Sequence, residues 1–482
     1  MWRPERLRRG LGLGLLAAAL SLGGAAQAEA PQSVPQSVPL SQASVAQIEH
    51  AAAAALAAGQ RADALALARA LLARDPENPL GHYVIARLML GAGQTETART
   101  EARLSFSKAQ SPRQHYEAAR VAAQVAVAEK RWAAAQYWAR QTIQFAPDAR
   151  ARAVGVSDFR RLRAASPLSF SVKLGIRPSN NVNGGADERT NVIDGFDAVG
   201  WLSDDAMALR GVAGTADVDA GWRIAQDAKS ETRLGLSGYA RVVELSGTPM
   251  MVPPYAPGTP APAPVEIPNS EYSSASLAVN LRHSRVLAPG LNGAATVEAG
   301  RSWQGGTPGY DWGALRLDGS KALSRTTRLS FGAGYEHRDW VDSPRQDDRR
   351  SLNLGLGLSG KAGDWGLGVS AASLGSTSAQ ARSWSVSGSV RYAPKAQIGP
   401  VSLSLSAGVS TTVYPDYTML GFHPAGGRQD DMVYAELGLW APKMGLAAFT
   451  PEVKLQALQV HSNVSRFSRS EISVAVGWRS AF

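Results

Sequence analysis

The carboxy-terminal stretch Ile-Ser-Val-Ala-Val-Gly-Trp-Arg-Ser-Ala-Phe, residues 472–482, decides the fold. Apolar residues alternate along it with small or polar ones, and only Ser480 interrupts the apolar series. Side chains two positions apart lie on the same face of a β-strand. The stretch therefore predicts a strand that is apolar on one face and long enough to cross a bilayer, which is the unit of a transmembrane β-barrel.

Both ends of the chain predict a bacterial outer membrane. Trp478 and the terminal Phe482 resemble the signal by which the barrel-assembly machinery recognises outer-membrane barrels. At the amino-terminus, basic residues precede the apolar stretch 11–22, and Ala26 and Ala28 form an A-x-A cleavage site. Residues 1–28 are therefore predicted to be a secretory signal peptide. A membrane anchor is the less favoured alternative, because no second apolar stretch of the length that a helix needs follows it.

From residue 167 to residue 482 the sequence alternates throughout, and fourteen strand-like segments can be counted. In the clearest two, 352–359 and 401–410, Leu or Val alternates with Ser, Gly or Asn. A soluble sheet would carry charged residues on its outer face, whereas here the face opposite the apolar one is mostly small. The pattern predicts a fourteen-stranded antiparallel barrel with lipid outside and a small-residue lumen, either water-filled or plugged.

The predicted connections support an even strand count, because long outer loops alternate with short inner turns in such barrels. The long ones are 178–205, 244–269 and 411–427, and the short ones are 226–230, 360–363, 394–399 and 441–444. Residues 249–268 are rich in proline, which predicts an extended, exposed segment. The sequence does not indicate the role of this segment. Aromatic residues near the strand ends predict interfacial girdles. They are Trp303, Tyr310, Trp312, Trp340, Tyr392, Tyr414 and Trp440.

A Pro/Ser-rich linker, 29–40, separates the predicted signal peptide from a helix-rich segment, 41–148. Within that segment the residues 58–64 recur as 92–98, and a looser copy follows at 128–135. A period near 34 residues predicts tetratricopeptide-like helix pairs in the periplasm, whose concave face commonly binds a peptide or protein. The alternative is that these helices only buttress or plug the barrel. The basic stretch 149–166 predicts a linker or a last helix that faces solvent, with lipid head groups as a second possibility.

Other function classes find little support in the sequence. The chain has no cysteine, and its net charge of +10 is spread rather than clustered, so thiolate sites and nucleic acid binding are not predicted. Catalytic motifs are absent, and neither a metal nor a cofactor is predicted. The polar group 336–339 with 345–350 is interpreted as salt bridges along the barrel wall, with an enzyme site at the rim as the less favoured interpretation. His423 and His461 are isolated candidates for haem or metal ligands.

Several motifs, taken in order, resemble those of the surface lipoprotein assembly modifier (Slam) family. The first is Pro-Ser-Asn-Asn-Val-Asn at 178–183; the others are Arg-Gln-Asp-Asp at 428–431, the lead-in 445–451, Ser-Asn-Val at 462–464 and the terminal Phe482. The segment 153–167 is similar to the family's linker, whereas the Pro-rich segment departs from the family pattern. The residues that the resemblance marks as functional candidates are Pro178, Ser179, Asn180, Asn181, Asn183, Arg428, Asp430, Ser462 and Asn463.

The resemblance implies an outer-membrane translocator that helps particular client proteins reach the cell surface. Its clients would be surface lipoproteins or released haemophore-like proteins, and outer-membrane lipid would surround the barrel. Neither a cofactor nor nucleic acid is implied. Two other functions stay open from the residues alone. One is a polysaccharide exporter, against which the small-residue lumen counts, and the other is a porin with a periplasmic protein-binding module.

Overall fold

The computed structural model of the protein describes residues 42–194, 196–253, 259–419, 421–441 and 449–480. Two of the predicted signals, the cleavage site at Ala26 and Ala28 and the terminal Phe482, lie outside the described residues. Within these residues the chain forms a helical domain followed by a closed barrel.

Seven helices form the amino-terminal domain. They are α1 (Val45–Ala57), α2 (Arg61–Arg74), α3 (Pro79–Gly91), α4 (Thr95–Lys108), α5 (Pro112–Ala128), α6 (Trp132–Gln144) and α7 (Ala149–Ala165). None of the described helices is long and apolar enough to cross a membrane.

The first helix of each pair begins at a side chain that caps it. Ser44 and Ser111 each form a capping box with the glutamine three residues later, and Asn78 accepts hydrogen bonds from two backbone N–H groups of α3. Such caps satisfy N–H groups that would otherwise lack a partner in the first turn. Proline follows two of these caps, at Pro79 and Pro112, where its missing N–H costs nothing.

The turn inside each pair explains why the third repeat is harder to detect. Gly59 and Gly93 occupy the left-handed region, with φ of 74° and 77°, and Lys130 takes the same conformation at φ 57°. A residue with a side chain is strained there, whereas glycine is not. The third repeat therefore keeps the turn geometry without the residue type that reveals it in the sequence.

Helix α7 closes the stack and is part of its core. Its Phe159 and Leu162 are buried in one cluster with Ala139 and Ile143 of α6. The arginines of the predicted basic linker are exposed on the other side of α7, at positions 150, 152, 160, 161 and 163. The basic stretch is thus a helix, and its charges face solvent.

Fourteen strands close the barrel. They are β1 (Leu168–Ser179), β4 (Gly211–Gln226), β5 (Ser230–Leu245), β8 (Ser274–Ala288), β9 (Leu291–Gln304), β10 (Thr307–Ala322), β11 (Thr327–Trp340), β12 (Gln346–Ser359), β13 (Gly363–Ser376), β14 (Ser383–Pro394), β15 (Ser402–Tyr414), β16 (Arg428–Trp440), β17 (Phe449–Ser462) and β18 (Arg469–Ser480). Two further strand pairs lie in the loops: β2 (Thr190–Ile193) with β3 (Phe196–Trp201), and β6 (Met250–Met251) with β7 (Val265–Glu266). All barrel neighbours are antiparallel, and β18 pairs with β1 to close the ring. The predicted fold class is confirmed.

The apolar residues form the outer face of the barrel, as the alternation predicts. Phe170 and Ile176 of β1 are 62% and 60% exposed, and Leu352 of β12 is 64% exposed. Large apolar side chains so exposed on every side of a barrel match a lipid-facing surface. Trp222, Trp365, Tyr392 and Trp478 mark the outer face at the end next to the helices.

The lumen differs from the small-residue lumen that the sequence predicts, because its two walls differ. On β13–β15 the inward residues are mostly Ser and Gly, and Ser370 and Ser387 share a 2.6 Å hydrogen bond. On β8–β10 they are charged: Arg316 lies 2.6 Å from Glu298, and Arg282 lies 3.3 Å from Asp318. The sequence pattern missed this second wall because its charges are scattered, one or two to a strand.

Five of the predicted girdle aromatics face inward instead, among them Trp440, which lies opposite the inward-facing Ser402. Tyr310 and Trp340 pack with their ring centroids 5.1 Å apart, on the same parity as Trp312 and Arg338. Tyr414 lies beneath the guanidinium of Arg428, in a cluster at the far end of the barrel. The register along β10 is unbroken after Tyr310, so Tyr310 and Trp312 lie on the face opposite to the outward Leu315 and Leu317. Nearness to a strand end, on which the prediction rested, does not determine the face.

The connections follow the predicted lengths at most places. The loops 180–210, 246–273 and 415–427 are long, and the turns 227–229 and 360–362 are short. The connection between β16 and β17 runs from 441 to 448 and is longer than the predicted 441–444, while 305–306 at the far end is only two residues long. The predicted strict alternation of long and short connections is therefore wrong at these two places, whereas the predicted number of strands is confirmed.

Replacing Lys130 by glycine should stabilise the helical domain by about 1 kcal/mol, because it removes a left-handed backbone strain. The measurement is thermal unfolding of the full-length protein in detergent, followed by the helical circular dichroism signal at 222 nm. Gly93→Ala is the matched control. An added Cβ there would meet no atom within 4 Å, so any loss of stability reports the backbone conformation alone. A Lys130→Gly protein that unfolds at or below the wild-type temperature would contradict the prediction.

Candidate functional site at the capped end of the barrel

The first loop of the barrel folds across the end that is remote from the helices. We call its described residues, 180–194 and 196–210, the cap. On one side Val182 is buried against the inward-facing Ala213, Val243 and Leu245 of β4 and β5. The cap therefore lies inside the mouth of the barrel and not above it.

A cation of the barrel wall holds this side of the cap. The guanidinium of Arg241 donates 2.6 Å hydrogen bonds to the carbonyl oxygens of Val182 and Tyr272. Tyr272 in turn donates to the carbonyl of Asp205 at 3.2 Å. Arg241 thus joins β5, the cap and the Pro-rich loop, and Ile267 of that loop is buried in the same apolar cluster.

On its other side the cap reaches the loops between β15 and β16 and between β17 and β18. Ile193 is fully buried with Tyr417 and Val464. The N–H groups of Val192 and Asp194 donate to Ser465 Oγ at 2.8 Å and to the carbonyl of Asn463 at 2.9 Å. Its contacts extend over a continuous arc of the ring from β15 through β1 to β8.

Two asparagines of the predicted motif hold the cap in shape. Asn181, 2% exposed, accepts from the N–H of Gly185 and donates to its carbonyl, both at 2.8 Å. Asn183 donates to the carbonyl of Met207 at 2.7 Å and accepts from the N–H of Leu209 at 2.8 Å. These side chains satisfy buried backbone groups that have no ladder partner, which otherwise costs about 1–3 kcal/mol each.

The beginning of the same motif attaches β1 to β18. Asn180 Oδ1 accepts a 2.8 Å hydrogen bond from the N–H of Ile472, and Ser179 Oγ donates to Glu471 at 3.0 Å. Glu471 also forms a salt bridge with Arg177, with a nitrogen–oxygen distance of 2.6 Å. Pro178 sits opposite Val212 of β4 and has no N–H to donate. Side chains thus add to the backbone pairing at this point, where Ser179 lies opposite Ser473 and the N–H of Asn180 donates to the carbonyl of Ile472 at 3.3 Å.

The second motif forms a stacked ion pair under the cap. Arg428 contacts Asp430 through two nitrogens, the closest at 2.7 Å. Its guanidinium carbon lies 3.5 Å from the ring centre of Phe467 and 3.8 Å from that of Tyr414. A planar guanidinium held by both a carboxylate and aromatic faces is geometrically well defined.

The third motif joins the two loops on which the cap rests. Asn463 accepts from the N–H of Gln429 at 2.8 Å and donates to the carbonyl of Gly427 at 2.9 Å. Ser462 Oγ accepts from the N–H of Val464 at 3.2 Å. All nine residues marked by the resemblance therefore meet at one end of the barrel, where they hold the cap and its supports in place.

Other residues of the site were not predicted from the sequence. They are Arg241, Tyr272, Ile193, Tyr417 and Phe467, which belong to the cap or contact it or its supports. None of them stands out in the sequence; Arg241, for example, lies on a strand that also contains Glu231, Arg233 and Glu244. Trp478 of the predicted assembly signal lies elsewhere, half-exposed on the outer face at the end next to the helices.

The polar group around residue 337 divides between the two faces of the barrel wall. Glu336 pairs with Arg338 at 2.6 Å on the inner face, where Asp347 also binds Arg345 at 2.8 Å. His337 lies on the outer parity and contacts Asp348 at 2.9 Å. The structure shows these groups as ion pairs, as the favoured interpretation expects. His423 contacts the carbonyl of Tyr417.

A second polar surface lies on the helical domain, on the helices α3, α5 and α7. Burial, with the carboxylate of Glu117 nearby, raises the pKa of Tyr83, and burial also raises the pKa of Asp158. Arg120 lies close to all three groups and 3.9 Å from Glu117. Because α1, α3 and α5 contact one another in sequence, these helices share one face of the stack, which is the peptide-binding face in tetratricopeptide repeats.

Comparison with known proteins supports the repeat assignment. The tetratricopeptide repeat family model matches residues 55–115, which confirms this interpretation over that part of the helical domain. No curated protein sequence matches the chain.

Solved structures similar to the chain include several outer-membrane proteins. The bacterial polysaccharide outer membrane secretin is 10% identical, with 64% of this chain and 98% of that chain covered and a TM-score of 0.32. The outer membrane channel DcaP of Acinetobacter baumannii is 9% identical, with 65% and 98% covered and a TM-score of 0.36. OprB of Pseudomonas putida is 8% identical, with 67% and 96% covered and a TM-score of 0.36.

Asn181→Ala should loosen the cap without unfolding the barrel, because it leaves buried backbone groups of Gly185 without partners. We expect about tenfold faster trypsin cleavage after the exposed Arg189 of the cap. The measurement is the rate of appearance of the amino-terminal fragment from the folded protein in detergent. Asn353→Ala, on the inner face of β12, is the matched control and should cleave at the wild-type rate. Equal rates for all three proteins would show that Asn181 does not hold the cap.

Proposed function

We propose that the protein is an outer-membrane translocator, whose periplasmic helical domain receives particular client proteins and whose barrel passes them to the cell surface. The observation that carries this proposal is the arrangement at the two ends of the barrel. One end is crossed by a packed cap, and the other is joined to a repeat stack of the kind that binds polypeptides. A passive pore needs neither feature.

The helical domain is attached to the barrel by defined contacts. Arg223 of β4 donates to the carbonyl oxygens of Ala164 and Ala165, at the end of α7, at 2.8 and 2.6 Å. Gln136 of α6 donates to Ser166 Oγ at 3.3 Å. A polypeptide bound on the stack is thereby held next to the barrel entrance, and folding of the client outside would supply the driving force.

A second candidate function is export of a polysaccharide. Its support is the aromatic and charged patch on the inner face, which contains Tyr310, Trp312, Trp340 and Arg338. Sugar-binding channels use aromatic faces and charges of this kind, and the small-residue lumen that counted against this function is limited to one wall. Loss of surface glycan, with surface proteins unchanged, would select this candidate.

The test of the proposal compares surface-exposed proteins between cells with and without the chain, by protease shaving and mass spectrometry. A translocator predicts that one or a few proteins disappear from the surface and accumulate inside, and that the intact chain restores them. A protein surface that does not change would contradict the proposal. Stable ion conductance of the purified barrel, without any effect on surface proteins, would indicate a porin.

Locking the cap should stop translocation. Ile193 of the cap and Val464 of its support lie opposite each other in an antiparallel bridge, so cysteines at both positions are placed to form a disulfide. We expect surface display of the client to be lost under oxidising conditions and restored by reductant. The chain has no cysteine of its own. The matched control is Leu354→Cys with Val369→Cys, across the wall strands β12 and β13. Normal display with a formed 193–464 disulfide would show that the cap stays in place.

A further inference from the structure

The first helices of the second and third helix pairs, α3 and α5, share a sequence. Pro-Leu-Gly-His-Tyr-Val-Ile-Ala-Arg at 79–87 recurs 33 residues later as Pro-Arg-Gln-His-Tyr-Glu-Ala-Ala-Arg at 112–120. A proline, a histidine, a tyrosine, an alanine and an arginine therefore hold equivalent positions in the two helices. Both helices lie on the peptide-binding face of the stack, so the shared residues either pack the stack or contact what binds to it.

Packing explains the prolines, the histidines and the alanines of this sequence. The prolines follow the helix caps, the histidines each contact a backbone carbonyl at 3.0 Å, and the alanines are fully buried. These residues are Pro79, Pro112, His82, His115, Ala86 and Ala119. What remains in each helix is a tyrosine followed four positions later by an arginine. We call Tyr83 with Arg87, and Tyr116 with Arg120, the Tyr–Arg pairs.

The two Tyr–Arg pairs lie side by side. Residues four apart are neighbours on the surface of a helix, and the guanidinium carbon of Arg120 lies 5.6 Å from the centre of the Tyr116 ring. Arg87 and Arg120 both lie close to the hydroxyl of Tyr83, and α3 contacts α5. The pairs thus form one surface across two helices.

The arginines of this surface have few acceptors within the protein. Arg87 is exposed and has neither a hydrogen bond nor a salt bridge with any residue that the structure describes. Arg120 lies 3.9 Å from Glu117, which is beyond hydrogen-bond distance. Arg99 of α4, by contrast, donates to Glu129 at 3.1 Å. The guanidinium N–H groups of the Tyr–Arg pairs are therefore available to a ligand.

Charge and shape favour a ligand with carboxylates on a polypeptide. Residues 45–165 contain seventeen Lys or Arg and ten Asp or Glu, so the helical domain attracts anions. A guanidinium binds a carboxylate through two parallel hydrogen bonds. Tyr116 is only 7% exposed and lies beside Arg120, so it offers no open aromatic face on which a sugar could stack. A polypeptide fits this surface better than a saccharide.

The distance between the two helices predicts the spacing of the acidic residues. Packed helices lie about 8–10 Å apart. In a polyproline II segment, which rises about 3.1 Å per residue with three residues per turn, side chains three positions apart lie on one side and about 9 Å from each other. On one side of a β-strand the separations are roughly 7 or 13 Å, for residues two or four positions apart. A spacing of three residues in an extended segment matches the two arginines.

Two carboxylates restrict what lies between the acidic residues. Glu117 lies beside Arg120 on α5, and Asp158 of α7 lies close to Arg120 and Arg161. These groups repel an uninterrupted acidic run, because such a run would place further carboxylates next to them. Neutral residues between the acidic ones avoid this repulsion.

We propose that the Tyr–Arg pairs bind an extended segment of the client in which acidic side chains stand three residues apart, with one carboxylate on each arginine. This inference rests on the proposed function, in which the helical domain receives the client. Recognition by two arginines at a fixed distance reads both the charge of the segment and its spacing. Neither arginine is needed for the packing of the stack.

The first experiment measures binding of labelled peptides to the full-length protein in detergent, by fluorescence anisotropy. The probe is Glu-Pro-Ser repeated three times, and its control has the same composition with the three glutamates consecutive. We expect the spaced peptide to bind more tightly, and Arg87→Gln or Arg120→Gln to weaken its binding about tenfold each. The matched control is Arg69→Gln with Arg103→Gln. These two arginines are exposed on α2 and α4, and their replacement should leave binding unchanged.

Three results would overturn the proposal. They are equal binding of the two peptides, an equal loss in the control variant, and binding of an acidic polysaccharide such as alginate in place of the peptide with the same dependence on Arg87 and Arg120. The circular dichroism signal at 222 nm and the unfolding temperature of each variant should equal those of the wild type, so that a loss of binding reports the arginine alone.

The second experiment separates this inference from the proposed function. Arg87→Gln with Arg120→Gln should reduce the display of the surface protein that disappears from cells lacking the chain. Normal display by this variant, where deletion of the chain abolishes display, would reject the Tyr–Arg pairs as the client site and leave the translocator standing. If no surface protein depends on the chain, the proposed function fails, and the peptide measurement still decides whether the pairs bind a spaced acidic segment.

Discussion

The constraint on which the rest of the structure depends is that backbone groups inside a membrane must be hydrogen-bonded within the protein. For strands this requires a closed ring, and the alternation of each strand then places apolar side chains outside and the remaining ones in the lumen. Neighbouring strands meet the requirement with antiparallel ladders, and the pairing of β1 with β18 closes the ring. This closing joint joins the first and the last strand of the barrel.

The cap and that joint belong to one structural unit. Asn180 and Asn181 form hydrogen bonds with Ile472 and Ser470 of β18. The next residue, Val182, is held by Arg241 of β5. The cap therefore bridges the joint at the end where side chains add to the backbone pairing of β1 with β18. Because the same short segment holds both sides, separating β1 from β18 along their whole length requires the cap to leave one of its two supports.

Much of this fold could be predicted from the sequence, because the two periodicities involved are local. Fourteen strands follow from alternation, and the helix pairs follow from their period and from caps such as Ser44 and Ser111. The faces of Tyr310, Trp312 and Trp340 do not follow from their nearness to strand ends, but their parity, opposite to that of Leu315 and Phe331, places them inside. The cap could not be predicted, because Asn183 and Leu209, or Ile193 and Val464, meet only after the ring has closed. The motif residues were found through resemblance, and their shared location is visible only in the structure.

The two walls of the lumen bear on how a polypeptide could pass without being retained. Ser and Gly on β13–β15 offer little side chain to bind, whereas the charges on β8–β10 are already paired with one another, as Arg316 is with Glu298. A charged side chain that is already paired within the wall binds a passing segment more weakly than an unpaired charge would, because any new contact must replace an existing hydrogen bond. In the proposed translocator, selectivity would therefore lie on the repeat stack, and the lumen would be a weakly binding passage.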